Sequence, residues 1–201
     1  PMSVVNESRD TTHYSIIDSE GNAVSNTYTL GYSFGSGVTI PGTGILMNNQ
    51  MNNFAYRYGD TSVSGRAASP ANKFEAGKRP MSTMTPTMVF NRSGELTLVT
   101  GSPGGYFIPA AVLRVVSGII DFNLNIGEAT MLPRIHKDWP YSGLDHESIL
   151  SSDISRQLGI MGHQPESQKT MGSTQSIHIK DGINNGYADL RRPGAAVSIQ
   201  R

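Results

Sequence analysis

A glycine-rich turn at mid-chain, Gly101-Ser102-Pro103-Gly104-Gly105, separates two hydrophobic periodicities and so limits the folds open to this sequence. Ahead of it, the spacing predicts strands over 86–90 and 95–100, joined by Asn91-Arg92-Ser93-Gly94. It also predicts strands over 13–18 and 22–30, with Ser19-Glu20-Gly21-Asn22 as a hairpin turn between them. Behind the turn, Ile108, Ala111, Val112, Val115, Val116, Ile119 and Ile120 fall on one face at helical spacing, with Pro109 in the first turn. A bare backbone handing a strand to a helix can aim N–H groups at a developing anion.

Further along, 126–132 reads as a second helix stopped by Pro133. The stretch 147–162 reads as a third, with Ile149, Leu150, Ile154, Leu158 and Ile160 as its apolar set. Residues 173–180 alternate like a strand, and Asp181-Gly182 turns the chain into a last strand near Tyr187. Strands, then helices, then strands imply a layered α+β domain and not a βαβ fold. Five glycines mark 31–44 as a loop, 48–53 is an amide-rich turn, and 58–76 reads as a surface loop rich in Gly, Ser and Ala.

Composition removes several function classes. The 16 basic and 16 acidic side chains cancel, which argues against nucleic acid or an anionic membrane as partner. No run approaches the ~18 apolar residues of a membrane span. With no cysteine there is no disulfide, thiolate metal site or cysteine nucleophile. His13, His136, His146, His163 and His178 lack metal-ligand spacing, so no metal and no cofactor is expected. Asp145, Glu147 and Asp153 form no arguable inward pair and read as solvated, and His136 reads as structural. Residues 1–10 show no signal-peptide pattern.

Thr11-Thr12-His13-Tyr14-Ser15 offers a β-hydroxyl nucleophile at the start of a strand. Taken singly, such a pair is common, Thr29 is an ordinary strand residue and Gly104-Gly105 an ordinary turn. The ordered set is another matter. It runs through Thr27-Tyr28-Thr29-Leu30, Gly44-Ile45-Leu46, Asn48-Asn49-Gln50-Met51, Gly77-Lys78-Arg79-Pro80, Met84-Thr85-Pro86-Thr87, Gly101 to Gly105, Pro133-Arg134 and Met171-Gly172-Ser173-Thr174-Gln175. Together these blocks, from Asn6 to about Arg191, resemble the small, catalytic subunit of the γ-glutamyltranspeptidase family.

The resemblance implies an N-terminal-nucleophile hydrolase with a four-layer αββα sandwich, to which this chain contributes part and a large subunit of the same precursor the rest. It implies residues 1–10 as a precursor linker, cleavage between Asp10 and Thr11, and 11–201 as the catalytic small-subunit domain. It places Thr11 as nucleophile, with the new α-amine as its base. Thr29 becomes its supporting hydroxyl, Gly104 and Gly105 the oxyanion donors, and Ser82 and Thr83 the hydroxyls against a substrate α-carboxylate. Gln50, Asn53 and Gly31 line the acyl pocket. A γ-glutamyl amide is the implied substrate, water or an amine the acceptor, and the periplasm or exterior the implied location.

Two departures bear on the substrate. Asn48-Asn49-Gln50-Met51-Asn52-Asn53-Phe54 has Asn53 where the family usually has an aspartate, and Gly31 stands where asparagine is common. Losing an anion opposite an ammonium removes about 1.5–3 kcal/mol. That change resembles the cephalosporin acylase-like members, which accept glutaryl amides with little transfer. A third departure is the presence of 1–10 ahead of Thr11, since an acylated Thr11 has no free amine. The alternatives are thus a glutaryl acylase, or a processing-deficient paralogue kept for binding.

Overall fold

The computed structural model describes residues 11–55, 69–138, 143–168 and 170–199. The calls on Asp10, on the linker 1–10 and on 58–68 of the predicted surface loop lie outside the described residues. Backbone packing divides the chain into two units, one made of the described residues of 1–11 and 28–83, the other of 12–27 and 84–199.

The larger unit holds most of the regular structure. Strands β1 (Thr11–Ile17) and β2 (Ala23–Thr29) form a two-stranded sheet. The Asp18 carboxylate takes the Glu20 and Asn22 N–H groups and so closes the turn between them. Strands β3 (Thr87–Phe90), β4 (Leu96–Thr100), β8 (Gln175–Lys180) and β9 (Ile183–Ala188) form an antiparallel sheet in the order β3-β4-β8-β9. The predicted strands of this unit are therefore present within a residue or two of their expected ends.

Helices α1 (Ile108–Ile120) and α2 (Ile126–Met131) pack on that sheet. Leu98 of β4, Val115 of α1 and Ile126 of α2 form the buried core, with Val89, Val116, Ile119 and Tyr187 packed around them. Removing side chains of this size from water stabilises the fold by about 1.5–3 kcal/mol each. Gly118 lets the helices close up, since a Cβ there would stand 2.8 Å from Ala129 Cβ. Asn125 and Glu128 form a reciprocal capping box at the start of α2.

The stretch 143–168 departs from the sequence reading. The third helix is shorter than 147–162: α3 is Ser152–Ile160, capped by Ser151, whose hydroxyl accepts the Ile154 N–H. Glu147 instead ends strand β6 (Gly143–Glu147), which pairs antiparallel with β5 (Ile135–His136) and parallel with β7 (Gln164–Gln168). Thus β6-α3-β7 is a local βαβ unit that the strand-helix-strand order did not predict. Neither β6 nor β7 carries the alternating apolar pattern that announces a strand, because β6 buries His146 and Glu147 and β7 reads Gln-Pro-Glu-Ser-Gln.

The smaller unit is mostly loop. A bridge between Thr39 and Leu46 pinches the glycine-rich stretch, and another joins Ala55 to Lys73. One-turn 3₁₀ helices sit at Gln50–Asn53 and Pro70–Asn72. Phe54 is buried edge-on against Phe74 with ring centroids 5.4 Å apart.

Candidate active site

The smaller unit gathers every residue expected in the acyl pocket. Thr29 ends β2, and its Oγ1 accepts the Gly31 N–H at 2.9 Å. Gly31 has φ +96°, and a Cβ there would run into the Asn49 side chain. Asn49 in turn donates its backbone N–H to Leu30 O and accepts the Tyr32 N–H on Oδ1 at 3.1 Å. One turn later, Asn53 Nδ2 donates to Gln50 Oε1 at 2.6 Å. Asn53 O accepts from Asn72 Nδ2 at 2.6 Å, and Asn72 Oδ1 accepts the Met81 N–H at 2.9 Å. The amide chain Gln50–Asn53–Asn72 thereby tethers the segment that carries Ser82 and Thr83. Asn72 escaped the sequence reading because an asparagine inside a Ser-Pro-Ala-Asn turn carries no signal beyond the turn itself. Thr11, the first described residue of the chain, opens β1 and is buried.

The larger unit holds Gly104 and Gly105, at the junction between β4 and α1. Both have positive φ, +133° and +55°, and the +133° of Gly104 is a conformation that glycine alone reaches without strain. Gly101 opens the same loop beneath the imidazole of His13, so closely that any side chain at 101 would overlap the ring. His13 Nδ1 lies 2.7 Å from Thr27 Oγ1 and Nε2 lies 3.1 Å from Ser15 Oγ. Because the Ser15 hydroxyl donates its hydrogen to Gln175 O, it accepts from Nε2–H. Nδ1 is then the acceptor for Thr27. Burial pushes the His13 pKa down to about 4, so the ring is neutral at physiological pH. Strand alternation puts His13 on the face shared by Thr11 and Ser15, a signal present in the sequence but read only as a lack of metal spacing.

Behind the glycine loop stands a buried ion-pair frame. Arg134 and Asp189 pair at 2.5 Å, both fully buried. Arg191 pairs with Glu147 at 2.6 Å and with Asp189 at 3.2 Å. The expectation that Glu147 is solvated is therefore wrong: the residue is 2% exposed and also accepts the Arg134 and Met171 N–H groups. Burial alone would push the Asp189 carboxyl up, but the Arg134 and Arg191 guanidiniums and two N–H donors outweigh it and hold it below the usual carboxylate range. The frame fixes 171–174, since Arg134 Nη1 donates to Met171 O and Asp189 accepts the Thr174 N–H. Among the described residues, no group of three or more His, Cys, Asp or Glu residues is arranged to hold a metal ion, and no helix is long and apolar enough to cross a membrane.

Comparison with known proteins bears on the fold and the family. A family profile described as gamma-glutamyltranspeptidase matches residues 1–199. The glutathione hydrolase proenzyme of Escherichia coli K12 is 44% identical over 186 residues, 92% of this chain and 32% of that protein. The glutathione hydrolase proenzyme of Pseudomonas aeruginosa is 38% identical over 96% of this chain and 35% of its own length. The chain thus spans about a third of the length of each of these two relatives. Among solved structures, a chain of Pseudomonas nitroreducens gamma-glutamyltranspeptidase superposes with a TM-score of 0.85 at 36% identity, over 94% of this chain and 100% of that one. The cephalosporin acylase of Bacillus halodurans superposes with a TM-score of 0.79 at 27% identity, over 94% of this chain and 34% of the acylase. The α+β fold is therefore that of the N-terminal-nucleophile hydrolases, and the chain belongs to the γ-glutamyltranspeptidase family.

Proposed function

We propose that this chain is the catalytic part of an amide hydrolase or transferase acting on γ-glutamyl-type amides, with Thr11 as nucleophile. The carrying observation is the joint presence of a buried threonine opening a strand and a double-glycine loop ahead of a helix, in a member of this family. The Thr11 hydroxyl adds to the amide carbonyl while its proton passes to the Thr11 α-amine, whose ordinary pKa of about 7.7–8.0 suits a base at neutral pH. The Gly104 and Gly105 N–H groups take the oxyanion, and one such donor is worth about 3–4 kcal/mol in the transition state. Collapse expels the amine, which receives the proton from the α-ammonium, and leaves an acyl-threonine ester. Water or a second amine then releases the acyl group. Thr29, its oxygen engaged by the Gly31 N–H, keeps its own hydrogen to donate to the nucleophile.

Maturation uses the same group. The Thr11 hydroxyl attacks the carbonyl of Asp10, the peptide rearranges to an ester and so frees the α-amine, and hydrolysis of the ester frees the hydroxyl and cuts the chain. Residues 1–10 belong to the linker on the other side of that cut. The partner is a large subunit from the same precursor. Supporting this, several apolar strand residues remain between about a third and three-fifths exposed: Tyr14, Ile16, Val24, Met88 and Phe90. They occupy alternate positions on β1, β2 and β3, as one half of a four-layer sandwich would leave them. The name proenzyme, carried by the relatives from E. coli and P. aeruginosa, fits the same scheme, and export to the periplasm or exterior goes with it.

A second reading, glutaryl amides in place of γ-glutamyl ones, draws on Asn53 and Gly31. Neither offers an anion to a substrate ammonium.

Intact mass and N-terminal sequencing of the full-length precursor test the whole scheme. A new chain beginning at Thr11, lost in Thr11→Ala, is expected. A precursor that stays joined through Asp10 would overturn it in favour of a non-catalytic paralogue.

A further inference from the structure

The Pro103–Gly104 peptide has an orientation that its own residues do not decide. Rotating Pro103 ψ together with Gly104 φ turns this peptide plane over, and with glycine at 104 neither orientation is barred by a side chain. Because C=O and N–H point in opposite directions across a trans peptide, fixing the carbonyl fixes the amide. The carbonyl is fixed. Ser102 Oγ donates to Pro103 O at 2.5 Å and accepts the Ser173 N–H at 2.8 Å. Ser102 is fully buried, as is Ala111 of α1. A Cβ built on Gly172 would lie 2.7 Å from Ser102 Oγ, 3.1 Å from Pro103 O and 3.1 Å from Ala111 Cβ. The space on the carbonyl side is thus closed by Ser102, Gly172 and Ala111. The amide side is the only one left for the Gly104 N–H.

We infer that Ser102 is a positioning residue that holds the Pro103–Gly104 peptide with its N–H turned away from the core, toward the oxygen of the reacting carbonyl. The hydroxyl is suited to this because it uses both of its capacities at once. Its hydrogen anchors Pro103 O, and its lone pair is held by the Ser173 N–H. Ser173 belongs to the segment clamped by Arg134 and Asp189, so the hydroxyl cannot swing away with a loose loop. Alanine at 102 would leave Pro103 O without its donor and the Ser173 N–H without its acceptor. The peptide would then be free to present its carbonyl, and not its amide, to the developing negative charge. This inference rests on the reading of Gly104 as an oxyanion donor.

The test uses the two-subunit enzyme, with the subunits co-expressed as separate chains so that maturation is not required, and whichever of a γ-glutamyl or glutaryl anilide the wild type turns over. Ser102→Ala is expected to lower kcat by about 10- to 100-fold with KM held within about twofold, since an oxyanion donor acts only once charge has developed. A boronic acid that forms a tetrahedral adduct with the Thr11 hydroxyl should lose affinity by the same factor as kcat. A ground-state competitor, the free acyl-group acid, should bind as before. A kcat within about twofold of wild type, or a loss confined to KM, would overturn the inference. If Ser102→Ala fails to assemble, Ser102→Cys carries the test in its place, because a thiol is a weaker donor of similar size: a selective fall in kcat supports the role and an unchanged kcat refutes it. Thr11→Ala separates the two claims. Activity surviving in Thr11→Ala defeats the underlying mechanism, whereas a dead Thr11→Ala beside a fully active Ser102→Ala defeats only the role given to Ser102.

Discussion

Burial keeps the His13 ring neutral with a pKa of about 4, and the hydrogen-bond pattern leaves no room for a second ring proton. An unfolded histidine takes up its proton near ~6.5. As pH falls from there toward about 4, the unfolded chain gains a proton that the folded chain refuses, so stability declines through that interval and levels off below it. Denaturant titrations at steps between pH 7 and 4 should show this limb in the wild type and a shallower one in His13→Gln. At the same scale, Asn53→Asp should restore an anion beside Gln50. The ratio of kcat/KM for γ-glutamyl over glutaryl anilide should then rise by about tenfold or more, and an unchanged ratio would show that Asn53 does not face the acyl group. The sequence exposed Asn53 directly, because it interrupts a recognisable block. It hid Asn72 and Ser102, whose roles lie in which backbone groups they hold and not in their residue type.

The elements divide by how much of their burial is apolar. Helix α1 was legible almost to the residue, since its buried positions Ile108, Ala111, Val112 and Val115 are apolar at helical spacing. The hairpin turns were legible through glycine, and the β3–β4 pair through its flanking Asn-Arg-Ser-Gly. Strands β6 and β7 were not, because a strand that buries His146 and Glu147 has exchanged the hydrophobic pattern for an electrostatic one. Helix α2, only six residues long, depends on its ends more than on its face. Asn125→Ala removes the side chain that accepts the Glu128 N–H and should cost about 1 kcal/mol, read as a lowered midpoint in thermal unfolding. A midpoint equal to wild type would mean that packing against Gly118 alone holds α2 in place.

For the molecule as a whole, the two arginine–carboxylate pairs behind the glycine loop are the largest charged investment in the described structure. Arg134, Asp189, Glu147 and Arg191 sit between α2, β6, β9 and the 171–174 segment, so each neutralises a charge that would otherwise be stranded. Asp189→Asn should destabilise the folded chain by about 3–5 kcal/mol, because Arg134 is left buried without its anion. The exposed pair of Arg156 with Asp153 is the internal control, and Asp153→Asn should cost less than about 0.5 kcal/mol. Equal losses in chemical denaturation would mean that the buried pair is reached by water. None of this frame was visible in the sequence, where Glu147 looked solvated and Arg134 stood only as part of a block.

The half-exposed Tyr14, Ile16, Val24, Met88 and Phe90 also have a consequence for manufacture. A polypeptide born with uncovered apolar strands competes with every other copy of itself for something to cover them. Under the proposed scheme, synthesis of both halves as one continuous chain would resolve that competition before it starts, because a tether supplies each half with its counterpart at an effective concentration on the order of millimolar. In that scheme, severing the chain afterwards would release the amine of Thr11 without releasing the counterpart. Delay between synthesis and cutting would then act as an assembly checkpoint: a pair not yet closed over these strands and cut would have no finished nucleophile with which to act.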